Sequence, residues 1–329
     1  MTKAMIGIDL GGTFVKTAVV TREGEVLGKD SRPTDADQGL TAVLDRMVEG
    51  VDAALQAANI QRPDVLAAGI GAPGPMNWQT GVVFAPPNLP GWKDVPLARL
   101  MSERLQLPVY VDNDANVACY GEFWLGAGRQ VDSMVLLTLG TGVGGGIVLM
   151  GQLLRGPDGT AGEIGHLCVK RDGRQCNCGA RGCLEQYASV SGMLKTARKR
   201  IEQGGLNTLL LEMCGNELDN LTGKMISDAV KQGDTFARWV MEETGRWLGT
   251  GIGSIINLLN PEMVVLGGGM IGAGDVLFNP VRETARAQSF EVPGKRAEII
   301  PAGLGGDAGV IGAAGCALNR VEQDARAGK

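Results

Sequence analysis

The sequence predicts an α/β protein built from two domains, and three observations favour this class. Short apolar segments of strand length alternate with longer segments of helical periodicity, which is typical of folds with parallel strand pairing. A chain of 329 residues is long enough for about two domains, each with its own core. Two glycine-rich segments, starting at Met5 and Val135, resemble each other and indicate a duplicated domain core.

Each of these two segments predicts a strand, a tight turn and a second strand. In the first segment, a short apolar run leads into the turn of residues 9–13, and a second apolar run ends at Val20. In the second segment, the apolar run from Val135 leads into the glycine-rich residues 140–146 and then into another apolar run. We therefore expect two hairpins whose turns leave backbone N–H groups accessible.

The rest of the chain continues the alternation. Residues 40–55 carry apolar side chains at three- and four-residue spacing, which predicts an amphipathic helix. Further strands are predicted at residues 65–70, 109–111 and 263–266. Further helices are predicted at residues 188–201, 236–259 and 307–325.

The domain organisation follows from the order of these elements. We expect a small N-terminal α/β domain of residues 1–115 and a larger α/β domain of residues 116–306. A last helix, within residues 307–329, closes the chain. Because no proline- or serine-rich linker separates the two parts, the cleft between them is the expected ligand site.

The composition excludes several classes of partner. There are 31 Lys and Arg residues against 36 Asp and Glu residues, so the net charge is −5 and no large basic surface for nucleic acid is expected. An aromatic content of 4% also argues against a platform that stacks single-stranded bases. The longest uncharged stretch, residues 133–154, is interrupted by glycines and predicts strands and a turn, not a membrane helix. We therefore expect neither a nucleic acid nor a membrane as partner.

The cysteine content predicts the redox environment. There are seven cysteines, an odd number, and three of them cluster. No secretory signal is recognisable, because the first residues lead almost directly into an apolar strand. This pattern favours a reduced, cytoplasmic protein with a metal site over a disulfide framework. The cysteines outside the cluster are expected in the core: Cys119, Cys168, Cys214 and Cys316.

The turn after the first strand has the residues of a phosphate site. Gly11 and Gly12 let backbone N–H groups approach an anion without a Cβ in the way, and Thr13 adds a hydroxyl donor. Lys16, in the next strand, either supplies positive charge or points to solvent. Because Asp9 is acidic, a phosphate group beside it requires a cation, and Mg²⁺ is implied. The alternative is an ordinary tight hairpin turn.

Two more glycine-rich turns follow predicted strands. Thr141 and Gly142 lie in one of them, and Gly268 and Gly269 lie in the other. Three such turns can converge on one nucleotide. None of them has the Gly-Lys-Ser/Thr ending of a P-loop. The GxGxxG spacing that starts at Gly140 is followed by a strand-like run instead of a helix, so it is weak evidence for a nicotinamide cofactor.

The sharpest signal is a metal-ligand pattern in the loop of residues 166–183. The only histidine of the chain is followed by three cysteines, which gives the set His166, Cys176, Cys178 and Cys183. One imidazole and three thiolates suit tetrahedral Zn²⁺, and a site with four protein ligands is structural. The alternative is a set of buried or disulfide-bonded cysteines. A histidine that binds zinc through one ring nitrogen can donate a hydrogen bond to a substrate with the other.

Polar residues at one strand end suggest a site for a hydroxylated ligand. Residues 112–116, Asp-Asn-Asp-Ala-Asn, end one strand and open a helix. A helix N-cap accounts for one of these residues but not for all of them. Asp114 could accept a proton from a substrate hydroxyl group that Asn113 helps to position. Further donors and acceptors are Glu163, His166 and Glu185, and because a sugar hydroxyl both donates and accepts, the whole set suits a polyhydroxylated ligand.

Together these motifs resemble the ROK family of sugar kinases and repressors. The resemblance is carried by residues 9–13, by the glycines of residues 140–146 and, most specifically, by the block of residues 162–185. It spans nearly the whole chain and is closest to bacterial ROK glucokinases. In some of these, residues 112–116 read Glu-Asn-Asp-Ala-Asn, where this chain has Asp112. The resemblance implies an actin-like and hexokinase-like fold of two ribonuclease-H-like domains around a cleft. It also implies that the C-terminal helix of residues 307–329 packs back on the first domain.

The same resemblance implies roles for individual residues. Asp114 would be the general base, and Asp9 would hold Mg²⁺ through water. The sugar would contact Gly74, Asn88, Asn113, Asp114, Glu163, His166 and Glu185. The nucleotide would lie against Asp9, Gly11, Gly12, Thr13, Lys16, Thr141 and Gly142 at its phosphates and against Gly268 and Gly269 at its adenosine.

The function that the resemblance implies is transfer of the γ-phosphoryl group of ATP to the 6-hydroxyl of glucose. The acceptor could instead be N-acetylglucosamine, N-acetylmannosamine, mannose, fructose or allose, and polyphosphate stays open as donor. A repressor of the family carries a winged helix-turn-helix before its sugar-binding part, and the eight residues before Asp9 leave no room for one. A non-catalytic sugar sensor is disfavoured because the base and the phosphate turns are both present. Relatives are often dimers or tetramers, which implies a homo-oligomer.

Overall fold

The structure, a computed structural model, describes residues 3–86 and 88–327. Its strands are β1 (Ala4–Leu10), β2 (Phe14–Thr21), β3 (Val26–Pro33), β4 (Val65–Ala72), β5 (Met76–Asn77), β6 (Val82–Val83), β7 (Val95–Pro96), β8 (Val109–Asn113), β9 (Met134–Leu139), β10 (Val143–Leu149), β11 (Gln152–Leu153), β12 (Met263–Gly267) and β13 (Glu298–Pro301). Its helices are α1 (Leu40–Ala58), α2 (Leu97–Leu105), α3 (Asp114–Trp124), α4 (Glu185–Ala188), α5 (Val190–Glu202), α6 (Leu209–Met213), α7 (Gly223–Lys231), α8 (Thr235–Leu259), α9 (Asp275–Gln288), α10 (Glu291–Arg296) and α11 (Ala308–Arg326). The predicted α/β class is confirmed.

The predicted elements are found close to their expected positions, with one difference. The helix predicted at residues 188–201 corresponds to α5, and its predicted first residue, Ala188, is the last residue of the preceding helix α4. Ser189 has an extended backbone, and its hydroxyl oxygen accepts a hydrogen bond from the N–H of Gly192, which makes it the N-cap of α5. In the described part of the chain, no helix combines the length and the apolar character that crossing a membrane requires.

Two five-stranded sheets share one topology. Their strand orders are β3-β2-β1-β4-β8 and β11-β10-β9-β12-β13. In the first sheet, β1 pairs antiparallel with β2 and parallel with β4. In the second sheet, β9 pairs parallel with β12, and β12 pairs parallel with β13. The shared order supports the duplicated core that the two glycine-rich segments indicated. A small sheet has the order β5-β6-β7.

The described residues cluster into two compact units. The first unit contains the chain up to Asp132, Gly146–Gly162 and the chain from Ala302 onward, and the second contains Ser133–Gly145 and Glu163–Pro301. This division differs from the predicted boundary at residues 115–116. The reason is that α3 packs against α11, and this contact keeps α3 in the first unit. A Cβ on Gly121 would lie 2.4 Å from the carbonyl oxygen of Ala308.

The first sheet is covered on both faces. Alternate residues of a strand point to opposite faces, and in β1 this sends Ile6 and Met5 into different clusters of buried side chains. Ile6 packs in a cluster with residues of α1 and α2, whereas Met5 packs in a cluster with Ile311 and other residues of α11. Both clusters are apolar, and burying them stabilises the unit by the hydrophobic effect.

Glycines let α11 approach the backbone of the first sheet. A Cβ on Gly7 of β1 would lie 1.8 Å from the carbonyl oxygen of Val310. A Cβ on Gly69 of β4 would lie 1.9 Å from the carbonyl oxygen of Ala313. Any larger residue at these two positions would push the helix away from the strands.

Replacing Gly69 should therefore destabilise the protein. We expect Gly69→Ala to lower the free energy of unfolding by about 3 kcal/mol, because the added methyl group meets helix backbone that cannot move aside. Gly272→Ala is the control, since no described atom lies within 4 Å of the added Cβ, and its effect should stay below about 0.5 kcal/mol. Urea denaturation followed by circular dichroism measures the stability of both variants. Equal denaturation midpoints for Gly69→Ala and Gly272→Ala would contradict the close approach of α11.

Candidate active site and metal centre

Several candidate residues lie at one edge of the first sheet. The strands β1, β4 and β8 are parallel neighbours, so their carboxyl ends meet at this edge. In the ladder Asp9 is opposite Gly71, and Gly71 is opposite Asp112. Ligands of open α/β sheets bind at the carboxyl ends of parallel strands. The edge that carries Asp9 and the β8–α3 junction is therefore a candidate binding site.

The first glycine turn is a tight hairpin turn. The N–H of Gly11 donates to the carbonyl oxygen of Phe14 at 3.0 Å, and the Thr34 hydroxyl donates to the carbonyl oxygen of Gly11 at 2.7 Å. Asn88 lies beside this turn, because a Cβ on Gly12 would be 3.0 Å from the Asn88 Cβ. The structure thus brings together a predicted phosphate contact, Gly12, and a predicted sugar contact, Asn88. Their ligands stay predictions.

Asp9 lies between Lys16 and the start of α11. A Cβ on Gly309 would be 2.6 Å from Asp9 Oδ2, so only glycine fits beside the carboxylate. Burial raises the pKa of Asp9, and the positive charge of Lys16, opposite it in the β1–β2 ladder, partly offsets that rise. Lys16 Nζ donates to the carbonyl oxygen of Gly306 at 3.1 Å. A buried carboxylate of raised pKa is stabilised by a nearby cation, and this fits the implied Mg²⁺.

The β8–α3 junction shows which of its polar residues caps the helix and which is exposed. Asn113 is the N-cap of α3, since its Oδ1 accepts from the N–H groups of Ala115 at 2.9 Å and Asn116 at 3.3 Å. A Cβ on Gly74 would lie 3.2 Å from Asn113 Nδ2, so these two predicted sugar contacts are neighbours. The N-cap explanation therefore holds for Asn113. Asp114 is the first residue of α3 and is exposed.

The junction is fixed by a carboxylate to which the sequence analysis gave no function. Asp112 is buried, and its Oδ1 accepts from the N–H of Asn113 at 2.8 Å and from Asn116 Nδ2 at 3.0 Å. Its Oδ2 accepts from Arg155 Nε at 2.6 Å. Such a buried, paired carboxylate is costly to disturb, because losing a partner leaves charge unpaired. The pairing with Arg155 carries no local sequence signal, since the two residues are 43 positions apart.

In the second unit, the predicted metal ligands form a compact cluster. One ligand atom from each of four residues lies within 4.8 Å of the others: His166, Cys176, Cys178 and Cys183. Cys178 Sγ and Cys183 Sγ are 3.6 Å apart, and His166 Nδ1 is 3.7 Å from Cys176 Sγ. Tetrahedral zinc with Zn–S bonds of ~2.3 Å sets its ligand atoms about 3.6–3.8 Å apart. The cysteines are free, so the disulfide alternative is not found among the described residues.

The pKa shifts of the three cysteine thiols are also consistent with a bound cation. Burial raises the pKa of the Cys176 thiol and, with the neighbouring thiols, raises the pKa of Cys183 to about 12. The N–H of Ala180 lowers the pKa of Cys178 by donating to its sulfur. Three adjacent thiols resist ionisation together unless a positive charge lies among them. A bound dication supplies that charge and converts them to thiolate ligands.

The loop that carries the cluster is held by a residue that the sequence analysis missed. The loop turns tightly where the N–H of Gly179 donates to the carbonyl oxygen of Cys176 at 3.1 Å. Arg174 Nη1 donates to the carbonyl oxygens of Gln186 at 2.6 Å and Gly192 at 2.9 Å, and its guanidinium lies 4.8 Å from the ring centre of Tyr187. Arg174 thus fastens the loop to α4 and α5. A lone arginine in a polar loop gives no signal of this function.

The predicted sugar contacts of the second unit surround the cluster. His166 Nδ1 faces the thiols, while its Nε2 is 4.0 Å from Glu163 Oε2. Glu185 Oε1 accepts from the Cys176 thiol at 3.0 Å, and a Cβ on Gly142 would be 2.8 Å from Glu185 Oε2. Glu185 therefore lies between the cluster and the second glycine turn. This arrangement leaves one nitrogen of the imidazole available to a ligand.

The second and third glycine turns are neighbours, because β9 and β12 pair in parallel. Gly268 has a φ of 92°, which favours glycine, and a Cβ there would lie 2.3 Å from the carbonyl oxygen of Leu139 at the end of β9. Thr141 is exposed, and a Cβ on Gly269 would meet no described atom within 4 Å. The two turns form one open, glycine-lined edge.

One prediction about the cysteines is wrong. Cys119, Cys214 and Cys316 are buried as expected, but Cys168 is exposed. It lies in the metal loop, where it forms an isolated bridge with Cys183, and its thiol donates to the carbonyl oxygen of Arg181 at 3.5 Å. Most residues of this loop are exposed, and Cys168 shares that exposure.

Comparison with known proteins identifies relatives over nearly the whole chain. The ROK family model matches residues 5–320. A glucokinase of Halalkalibacterium halodurans is 40% identical over 93% of this chain and 92% of its own length. A ROK family glucokinase from Streptomyces griseus, solved in complex with glucose and AMPPNP, is 36% identical with a TM-score of 0.79 over 95% of this chain and 98% of its own. The expected actin-like, hexokinase-like fold is confirmed by this likeness.

The relatives also include a repressor. A xylose repressor of Caldicellulosiruptor bescii is 31% identical over 87% of this chain and 71% of its own length. The similarity therefore covers both kinds of protein that the sequence analysis considered.

Metal content tests the cluster directly. We expect about one zinc ion per chain, and Cys178→Ser should reduce it at least tenfold, because a hydroxyl group replaces a thiolate ligand. Cys168→Ser is the matched control, since Cys168 lies in the same loop but outside the ligand set, and it should keep its zinc. Elemental analysis of protein purified without added metal makes the measurement. A zinc-free wild type, or equal zinc in both variants, would contradict the assignment.

Proposed function

The chain belongs to the ROK family, and on that basis we propose that it transfers the γ-phosphoryl group of ATP to the 6-hydroxyl of glucose. It is similar to glucokinases over almost its full length, including one solved with glucose and AMPPNP. The observation that carries the proposal is Asp114, an exposed carboxylate at the first residue of α3. It lies at the sheet edge where ligands of such folds bind.

In the proposed reaction, the 6-oxygen of glucose attacks the γ-phosphorus of ATP. The new P–O bond forms as the bond from the γ-phosphorus to the β,γ-bridging oxygen breaks, and ADP leaves with that oxygen. The proton of the 6-hydroxyl goes to the Asp114 carboxylate. A positioned base typically contributes ~10²–10⁴-fold to such a step. The rest of the acceleration comes from alignment of the two substrates and from neutralisation of phosphate charge.

The neighbours of Asp114 would orient the sugar and the phosphates. Asn113 Oδ1 already accepts a hydrogen bond as the N-cap of α3. Its Nδ2, which lies beside Gly74, is therefore the group proposed to donate to a sugar hydroxyl. The accessible N–H groups of the turn at Gly12 would approach the phosphates. Mg²⁺ bound with ATP would supply charge neutralisation, and Asp9 is proposed to hold it through water. Lys16 is held by Gly306, so its proposed contribution is long-range charge.

The residues of the second unit are proposed to bind the other hydroxyl groups. His166 would use its Nε2 for a sugar hydroxyl while Nδ1 faces the metal cluster. Glu163 and Glu185 would accept from neighbouring hydroxyls. Zinc would fix the orientation of the imidazole without taking part in the transfer. The turns with Thr141, Gly142, Gly268 and Gly269 are proposed to surround the nucleotide.

The proposal extends to the location and the oligomeric state of the protein. ATP is made and used in the cytoplasm, so we propose a cytoplasmic location. We also propose a homo-oligomer, a dimer or a tetramer, by the family resemblance alone.

Removing the base should abolish most of the turnover. We expect Asp114→Asn to lower kcat by ~10²–10⁴-fold with a small change in the KM for glucose, because the amide cannot accept the proton. Asp37→Asn, at an exposed surface position of the same unit, is the control and should leave kcat unchanged. A coupled assay of product formation measures both. An Asp114→Asn protein that folds normally and keeps kcat within threefold would contradict the assignment of the base.

The identity of the sugar is tested by comparing acceptors. With ATP as donor, glucose should give a kcat/KM at least about tenfold above those of N-acetylglucosamine, N-acetylmannosamine, mannose, fructose and allose. ATP should also exceed polyphosphate as donor, because the glycine-lined turns suit a nucleotide. A higher kcat/KM for another hexose would transfer the proposal to that sugar and leave the phosphotransfer chemistry in place.

A further inference from the structure

The first unit contains a cavity that is not lined by Asp9 or Asp114. Its volume is about 370 Å³. One wall is the polar face of α11 with Asn319 and Arg320, and another is the β5–β6 hairpin with Trp78. The floor includes Asp112 and Arg155. We call this cavity the Trp78 pocket. Neither Asp9, Asp114 nor any residue of the metal cluster lines it.

Two guanidinium groups meet at Trp78. The Cζ of Arg155 is 4.8 Å from the ring centre of Trp78, and the Cζ of Arg320 is 5.4 Å from it. Asp112 is the single acidic residue among the lining residues, and its Oδ2 already accepts from Arg155 Nε. Asp324, outside the lining, is 3.8 Å from Arg320 Nε, which is longer than a hydrogen bond. The charges of the lining therefore sum to about +1. Arg155 also forms a side-chain hydrogen bond with Cys316, and the remaining N–H groups of both arginines can serve as donors.

The pocket also has donors without acceptors. Trp78 Nε1 and Arg320 Nε are buried, and neither has a hydrogen-bond partner in the described part of the chain. Buried polar groups in native proteins are almost always paired, so these two donors indicate an acceptor-rich occupant. Both nitrogen atoms have almost no accessible surface, so an occupant reaches them only where the Trp78 and Arg320 side chains shift.

The lining side chains indicate the chemical class of the ligand. Two guanidinium forks suit the oxygens of a phosphate group. Amide side chains of the lining suit the hydroxyl groups of a ligand, and they are Gln79, Gln152, Asn319 and Gln323. Thr80 and Tyr110 add hydroxyl groups, and the Tyr110 hydroxyl donates to Asp324 Oδ2 at 3.3 Å. A volume near the lower end of ligand pockets suits a compact molecule. We infer that the Trp78 pocket binds a small phosphorylated polyol, with its phosphate group on Arg155 and Arg320. This inference does not depend on the proposed catalytic function.

Fluorescence of the full chain tests the inference, because Trp78 is part of the pocket. Glucose 6-phosphate is the probe, and glucose and citrate are comparison ligands. We expect a saturable change of fluorescence with glucose 6-phosphate. Trp78→Phe should remove that change. Arg320→Gln should raise the midpoint of the titration at least tenfold, because the phosphate loses a charged fork. Arg22→Gln is the matched control. Arg22 forms an ion pair with Glu322, which is on α11 like Arg320 but does not line the pocket. The midpoint of the titration should not change in this variant.

A second variant covers loss of folding in Arg320→Gln. Gln152 is exposed, so Gln152→Glu should fold normally, and its added negative charge should also raise the midpoint for glucose 6-phosphate. The midpoint for glucose should be the same in all of these variants. Equal midpoints for glucose 6-phosphate in wild type and both pocket variants would overturn the inference. So would a fluorescence change in Trp78→Phe equal to that of the wild type, or citrate binding as tightly as glucose 6-phosphate.

Discussion

The buried carboxylate of Asp112 is the constraint on which the candidate site depends. It accepts from the backbone of Asn113, from the side chain of Asn116 and from Arg155, so it ties the end of β8, the first turn of α3 and a segment more than forty residues away into one unit. Asn113 can then cap α3 with its Oδ1, and Asp114, the proposed base, is left exposed at the first position of the helix. Because Asp112 is buried and its partners are charged or polar, the junction has few alternative arrangements. The same ion pair forms part of the Trp78 pocket, so both sites of the first unit share one anchor.

The duplicated sheet explains why the candidate residues lie in two sets. Each five-stranded sheet has a central strand that leads into a glycine turn, and candidate residues of each unit lie at or directly after the carboxyl ends of parallel strands: Asp9 and Asn113 in the first unit, and the glycine turns after β9 and β12 in the second. The two copies have diverged in what they carry there. The first has carboxylates and an N-capped helix, which suit proton transfer and a hydrated cation. The second has open glycine turns and a cysteine–histidine cluster, which suit a nucleotide and a rigidly held imidazole.

Much of this could be predicted from the sequence, because the signals were local. The helix of residues 40–55, the strand at 263–266 and the glycine turns each follow from periodicity or from residues within a few positions of one another. The cluster of candidate metal ligands could equally be predicted, since its four residues lie within eighteen positions of the sequence. Contacts between distant segments were not readable. The pairing of Asp112 with Arg155, the fit of Gly309 beside Asp9 and the fastening of the metal loop by Arg174 depend on tertiary packing. The boundary at residues 115–116 differed for the same reason, because the contact between α3 and α11 joins residues almost two hundred positions apart. Cys168 was misjudged because an apolar neighbourhood in sequence does not tell which side of a surface loop a residue faces.

The central claim is that Asp114, aimed by the junction at Asp112, faces the hydroxyl group that is phosphorylated. A crystal structure of the protein with glucose and a non-hydrolysable ATP analogue measures this directly. The account predicts an Asp114 carboxylate oxygen within about 2.6–3.2 Å of the 6-hydroxyl oxygen of glucose. A complex in which another carboxylate contacts that oxygen, or in which Asp114 contacts no part of the sugar, would contradict it.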